Sequence, residues 1–440
     1  MVVGDSGLCA TVRPALLVVG RRGYNRRMAS RSPAKLDQAV CGLEGFATWL
    51  MRTRGDLAVV IHADPDCANV LPPGPGSAGL ERFFCTRLDR DQAAAGRGPA
   101  LLDACLDVVC DELRPPAVVL LGSCVAGLAG EDLAAAAARA SRRTGVPVVS
   151  PAGPAMRFMG QVEVADAFAA MMIDLCPPAP ERQDGVNLLG FDPGAELRAA
   201  LGAAGVRVNA VLDLGAPLSA WRAMAAAVWT LVVDARMYSE SLAACHRRFG
   251  QRHREVPYPM GLAASLAFLE AVSEALGMAP AGPAVDGRTE DAARRAVERA
   301  RSHTRGRRLG FNLGSLKNFE PASLARAGLV DLPAFEELGF EVELLLQGDD
   351  RPRRLEAARA ILDGLGCRAP LAVFADTVDF GRLCRLRGCE LVAGADYLGE
   401  QLAGTRIGFV PHGSLAPGIA AVPANVDRIL SALAPAEQAR

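Results

Sequence analysis

Three cysteines stand in local settings that suit soft-metal chemistry. Cys41 opens the run C-G-L-E-G-F-A-T-W-L, Cys67 closes V-V-I-H-A-D-P-D-C, and Cys124 lies in V-V-L-L-G-S-C-V-A-G-L-A-G-E-D-L. Thiolates select zinc, copper(I) or iron–sulfur clusters over hard cations. Cys67 and Cys124 follow apolar, β-branched runs where parallel strands should stop, and open α/β sheets collect ligands at the carboxyl ends of their strands. Cys41 precedes a helical pattern, a setting that lowers a thiol's pKa. Gly122, Gly127 and Gly130 would let backbone approach a bulky cluster and donate N–H groups to its sulfides. Three thiols cannot complete a four-cysteine cluster. The expectation is that this chain supplies half of an iron–sulfur cluster and a partner chain the rest. A structural zinc site is the metal rival, disfavoured by the long gaps and the lack of paired C-x-x-C motifs. The bland alternative is that each cysteine is a small buried hydrophobe.

That alternative suits the other thiols better. Cys105 and Cys110 sit in the helix-like L-L-D-A-C-L-D-V-V-C-D-E-L, and Cys176, Cys367, Cys384 and Cys389 also read as core fillers. The pair Cys384/Cys389 is not a C-x-x-C motif. Cys85 is a spare thiol near the Cys67 rim. No Walker P-loop is present, so ATP is not bound by that route. The 440 residues carry a net charge of −1, which argues against nucleic acid or an anionic membrane as the main partner. No apolar run reaches the roughly 18 residues of a membrane span. The first residues lack the basic region of a signal peptide. Twelve cysteines without an export signal point to a reducing compartment, the cytoplasm, where disulfides are rare.

The elements that would carry these residues repeat a strand–helix pattern three times. Strands are expected at Leu57–His62, Ala117–Leu121 and Val146–Val149, with a helix from Gly130 through Arg143. After the Pro-rich hinge Cys176–Gly185, strands are expected at Val186–Leu189, Val206–Val211 and Thr230–Val233. Helices in this block are expected at Ala195–Ala203, Leu218–Ala227, Tyr238–Phe249 and Leu262–Leu276. A third block has strands at Leu309–Leu313, Val342–Leu346, Leu371–Phe374 and Glu390–Ala393, another strand stop in Arg406–Gly413, and a last helix, Ala424–Leu433. The expected organisation is an N-terminal arm, 1–34; a cluster-binding α/β domain, 35–183; and second and third Rossmann-like domains, 184–305 and 306–440. All three would be doubly wound parallel sheets.

The order and spacing of Cys41, Cys67 and Cys124 resemble those of the nitrogenase component 1 family. H-A-D-P-D-C stands where the family has an H-G-P-x-G-C loop, and G-L-A-G-E-D-L resembles its G-L-I-G-D-D-I helix start. Between them F-F-C-T-R-L-D-R-D-Q-A-A-A-G-R-G resembles the family's linking segment, and G-V-N-L-L-G-F-D-P-G-A-E-L, R-R-F-G-Q-R-H-R-E-V-P-Y-P-M-G and R-I-G-F-V-P-H-G resemble later family segments in order. The resemblance implies a heterotetramer of two related chains with an iron–sulfur cluster at each heterodimer interface. That cluster is P-cluster-like (8Fe–7S) or 4Fe–4S, with Cys41, Cys67 and Cys124 as this chain's ligands. It also implies a transient partner, an ATP-hydrolysing iron protein that delivers electrons.

Relatives include nitrogenase, its cofactor-assembly scaffold, the two dark-operative pigment reductases and methylthio-alkane reductase. Met237 stands where nitrogenase's catalytic chain has its cofactor-binding Cys, which points to the electron-relay, or β-type, subunit. Cys245 and His246 could serve as shifted ligands but read better as packing or solvent-facing residues. His412 falls near the family's third-domain His region and reads as structural. His62 reads as a support for the Cys67 loop. The chain lacks the runs typical of nitrogenase and the pigment reductases, so reductive C–S cleavage of methyl thioethers is the expected activity. A scaffold for nitrogenase cofactor assembly is the alternative.

Overall fold

The computed structural model describes residues 17–18, 43, 46–47, 50, 57–64, 67, 82–151, 161–177, 183–213, 215–278, 285–315, 329–348 and 352–437. Cys41 lies outside these residues, as does most of 1–34.

The first sheet is built from Leu17–Val18 (β1), Ala58–His62 (β2), Phe83–Cys85 (β3), Val118–Gly122 (β4) and Val148–Val149 (β5), in the order β1-β3-β2-β4-β5. β2 reads A-V-V-I-H and every residue of it is buried, as a parallel strand covered on both faces requires. Its side chains alternate between two cores. Val59 and Ile61 join Leu43, Phe46, Ala47 and Leu50, whereas Ala58 and Val60 face the opposite layer. That second layer holds Gly98–Leu113 (α2) and Leu133–Thr144 (α4), with Leu102, Leu106, Ala136 and Ala140 buried against the sheet; the short helices Arg90–Ala94 (α1) and Cys124–Leu128 (α3) precede them in the chain. Gln161–Asp174 (α5) covers the first face. Val164, Phe168, Met171, Met172 and Ile173 are all buried there, so this helix is apolar round most of its circumference. β1 is the exception to parallel pairing: it runs antiparallel to β3 and lies within the stretch read as an arm.

The second sheet has the order β7-β6-β8-β9, from Gln183–Leu189 (β6), Val208–Leu212 (β7), Ala227–Val232 (β8) and Arg252–Glu255 (β9), all parallel. Ala195–Ala203 (α6), Leu218–Ala223 (α7), Ser239–Phe249 (α8), Leu262–Ala275 (α9) and Gly287–Thr304 (α10) accompany it. The sequence pattern runs the helix at 218 on to Ala227, but it ends at Ala223 and strand begins at once after a 3-10 turn, Met224–Ala226. Side-chain amides take the carbonyls that the shorter helix releases. Asn209 donates to Ala223 O, Asn187 and Gln251 to Met224 O, and Gln251 also to Ala227 O.

The third sheet, β12-β11-β10-β13-β14, comprises Arg308–Ser315 (β10), Glu341–Gln347 (β11), Leu371–Phe374 (β12), Leu391–Gly394 (β13) and Gly408–Pro411 (β14). Leu332–Glu337 (α11), Pro352–Gly364 (α12), Thr377–Leu386 (α13), Asp396–Gly399 (α14) and Val422–Glu437 (α15) complete the unit. The architecture is therefore three doubly wound α/β units. One continuous core joins the second and third, through Leu188, Leu197, Phe268, Leu309 and Phe335. Another joins the first and second, through Ile61, Phe168, Trp221 and Leu242.

Candidate functional site

In the first sheet the chain leaves β2 toward β3 on one side and returns to β4 on the other. The carboxyl edge between β2 and β4 is thus the point where strand order reverses, the place where open α/β sheets form their ligand crevice. Cys67 and Cys124 follow these two strands. Register is fixed to the last residue: His62 pairs with Gly122, and Ser123 N donates to His62 O at 3.0 Å. Cys124 is the first residue of α3, whose N-cap Ser123 accepts from Ala126 N, and it is exposed. Cys67 is half-buried, and Asp64 Oδ1 accepts its N–H at 3.0 Å, which holds the turn carrying the thiol. Among the described residues no three His, Cys, Asp or Glu side chains form a ready-made metal cage. The described rim offers two thiols, Cys67 and Cys124.

Beneath the rim lies a polar group made by the last residue of β2, the residue after β3 and the residue before the N-cap of α4. His62 is fully buried; its Nε2 lies 2.6 Å from Glu131 Oε2 and its Nδ1 2.9 Å from Thr86 Oγ1. Burial pulls the His62 pKa below its ordinary 6.5, although the Glu131 carboxylate opposes that shift. A neutral imidazole fits both contacts, with Nε2–H donating to the carboxylate and Nδ1 accepting from the threonine. The other Glu131 oxygen sits where Gly98 starts α2: a Cβ there would lie 1.9 Å from Oε1. Glu131 thus ties β2, α2 and the loop after Cys124 together. The side-chain contacts of His62 go to Thr86, after β3, and to Glu131, in the loop after Cys124, rather than to the Cys67 loop that the sequence suggested it would support. The G-E-D-L run was the available signal for Glu131.

The glycines near Cys124 have reasons other than cluster approach. A Cβ on Gly122 would come within 2.2 Å of Leu133 Cδ1, so this position is small to seat α4. Gly130 has φ +72° with open space around it, a turn conformation that disfavours side chains. Cys85 turns its thiol away under the loop: Sγ donates to Ala63 O and accepts from Arg87 N, both at 3.4 Å, and burial raises its pKa.

In the second unit Met237 is buried in the 3-10 turn Ala235–Tyr238 after β8. Cys245 is 1 % exposed on α8 and burial pushes its thiol up to about 12. His246 is exposed, with Nδ1 3.3 Å from Gln251 O. In the third unit His412 follows β14. Its Nε2 donates to Asn312 O at 2.8 Å, its ring packs 5.2 Å from that of Phe311, and Nδ1 faces the buried Asp331 carboxylate at 3.9 Å. These contacts fix His412 between strands and the start of α11.

The family model for nitrogenase component 1 type oxidoreductases matches residues 41–413. The chain belongs to this family. It is 26 % identical over 333 residues to the nitrogenase iron-molybdenum cofactor biosynthesis protein NifE of Klebsiella pneumoniae, covering 69 % of each chain. It is 26 % identical over 365 residues to the light-independent protochlorophyllide reductase subunit N of Rhodospirillum rubrum, covering 76 % of this chain and 82 % of that one. Among solved structures, nitrogenase Cp1 at pH 6.5 superimposes with a TM-score of 0.68 at 13 % identity over 94 % of both chains, which establishes the shared fold. The protein is accordingly a nitrogenase-like component 1 subunit. No helix among the described residues is long and apolar enough to cross a membrane.

Proposed function

We propose that this chain is the electron-relay subunit of a nitrogenase-like reductase, with Cys41, Cys67 and Cys124 as its ligands to an iron–sulfur cluster shared with a homologous partner chain in a heterotetramer. The observation that carries the proposal is the arrival of Cys67 and Cys124 on either side of one strand-order reversal, with Cys124 exposed. Such a cluster would take electrons from an ATP-hydrolysing iron protein and pass them to a substrate site lying mainly in the partner. This chain's residues supply the frame: Asp64 and Ser123 fix the two thiol-bearing turns, and the His62–Glu131 pair holds the strands beneath them. In the second unit the position of the missing cofactor cysteine is a buried Met237, Cys245 is a packed thiol, and His246 points to solvent. None of the three is arranged as a ligand, which supports relay over catalysis.

Within this reading the substrate class is small methyl thioethers, cleaved reductively at a C–S bond. The likeness to NifE favours a second reading, a scaffold on which a nitrogenase cofactor matures without substrate turnover. The purified complex, supplied with its iron protein, ATP and reductant, separates them. Methane and methanethiol from dimethyl sulfide are expected. A fully iron-loaded complex that gives no product would favour the scaffold.

A further inference from the structure

We infer that Cys384 and Cys389 form a redox-active dithiol that closes to an intramolecular disulfide when peroxide oxidises it. The inference stands independently of the cluster. The two thiols are brought together by the way α13 ends. Gly388, at φ +66°, donates its N–H to Arg385 O at 3.0 Å, and Cys389 donates its N–H to Cys384 O at 2.9 Å. Those are the two bonds of a Schellman ending, in which the side chains at the first and last positions meet. Here both positions are cysteine. The turn thus brings residues 384 and 389 to its two ends, with both side chains in the same core layer. A core filler would fit this corner equally well if it were apolar, and the spacing in sequence gave no hint of the meeting.

The surroundings differentiate the two thiols. Both lie in the core layer formed by Leu345, Phe374, Phe380 and Val392. Cys384 is fully buried, while Cys389 keeps 5 % of its surface. Gly310 on β10 leaves the room that the Cys389 sulfur occupies, since a Cβ there would lie 3.1 Å from it. The charges near Cys389 are Arg308, Arg387 and Glu343, and Glu343 is itself paired with Arg387 at 3.3 Å. Cys389, the sulfur that keeps some surface, is therefore the one a peroxide reaches first, and Cys384 is the resolving thiol.

The chemistry balances with hydrogen peroxide, a two-electron oxidant small enough for so covered a sulfur. The Cys389 thiolate attacks one peroxide oxygen, the O–O bond breaks, and sulfenic acid and hydroxide form. The Cys384 sulfur then attacks the sulfenyl sulfur. The S–S bond forms, the S–O bond breaks, and water leaves with the thiol proton. Two thiols and one peroxide give one disulfide and two waters.

The test uses the full chain co-purified with its partner. After peroxide treatment and alkylation, trypsin digestion without reduction should yield the Leu383–Arg385 peptide linked to the Gly388–Arg406 peptide. The link should disappear with dithiothreitol and return with fresh peroxide. Cys384→Ser should abolish it and leave Cys389 as sulfinic acid. Absence of the link at a peroxide excess that converts methionines elsewhere in the chain to sulfoxides would overturn the inference. So would linkage of either cysteine to a different thiol.

Discussion

Glu131 is the residue whose removal tests the reasoning about the rim most sharply. In the fold its carboxylate accepts from a fully buried imidazole at 2.6 Å, and its own side chain is 8 % exposed. Glu131→Ala would leave the His62 Nε2–H without an acceptor, which costs about 1–3 kcal/mol for a buried donor. Packing lost at the start of α2 adds to that, so about 3 kcal/mol is expected locally. Glu131→Gln keeps one carbonyl acceptor and should cost about 1 kcal/mol. The pH dependence gives the sign. His62 is depressed below 6.5 in the fold, so the unfolded chain binds the extra proton. Stability should therefore be full above pH 6.5 and fall as pH drops from 6.5 toward the folded pKa. Removing the carboxylate charge removes what holds that pKa up, so the loss of stability on acidification should continue to lower pH, and be larger in total, in Glu131→Gln than in wild type. The assay is amide hydrogen exchange of β2 and β4 as a function of urea and pH. A variant that loses less on acidification, or wild type that gains stability there, would show that His62 is charged in the fold and refute the account.

Three further outcomes follow from the same geometry. Gly122→Ala places a methyl into Leu133 and should cost about 1–3 kcal/mol, with Leu133→Ala relieving the clash in the double variant rather than adding its full cost; strict additivity in urea titrations would contradict that contact. Cys105, Cys176 and Cys245, each raised by burial to about 12, should resist iodoacetamide at pH 8 in the isolated chain while the exposed Cys124 is labelled, and mass mapping that finds equal labelling would contradict their burial. Cys245→Ala and His246→Ala should leave total iron and activity near wild type; loss of activity with the interface cluster's paramagnetic signal intact would move the active site into this chain.

How much was legible depended on whether a segment's burial showed in its composition. β2 and β4 are wholly apolar runs because both faces are covered, and the cysteines after them could be placed at a strand rim at once. β9, R-H-R-E, was invisible because all four residues of this edge strand are exposed and polar. α5 was missed for the opposite reason: buried on nearly every side, it lacks the polar stripe that gives a helix its period. β3 is three residues long and carries no pattern. At the site, Asp64 and Ser123 are local caps that a sequence can suggest. The His62–Glu131 contact spans 69 positions and exists only because β2 and β4 are neighbours. The meeting of Cys384 and Cys389 needed the αL turn at Gly388, which neither thiol announces.

The central claim is that Cys67 and Cys124 bind iron at an interface. Its most direct test is the iron content and paramagnetic signal of the complex co-purified with its partner, for wild type, Cys67→Ala, Cys124→Ala and Cys85→Ser. Wild type and Cys85→Ser should be brown, iron-loaded heterotetramers. Cys67→Ala and Cys124→Ala should each lose iron and the cluster signal and elute as loosened assemblies, because the proposed cluster would bridge both chains. Wild-type iron and wild-type assembly in both alanine variants would contradict the account.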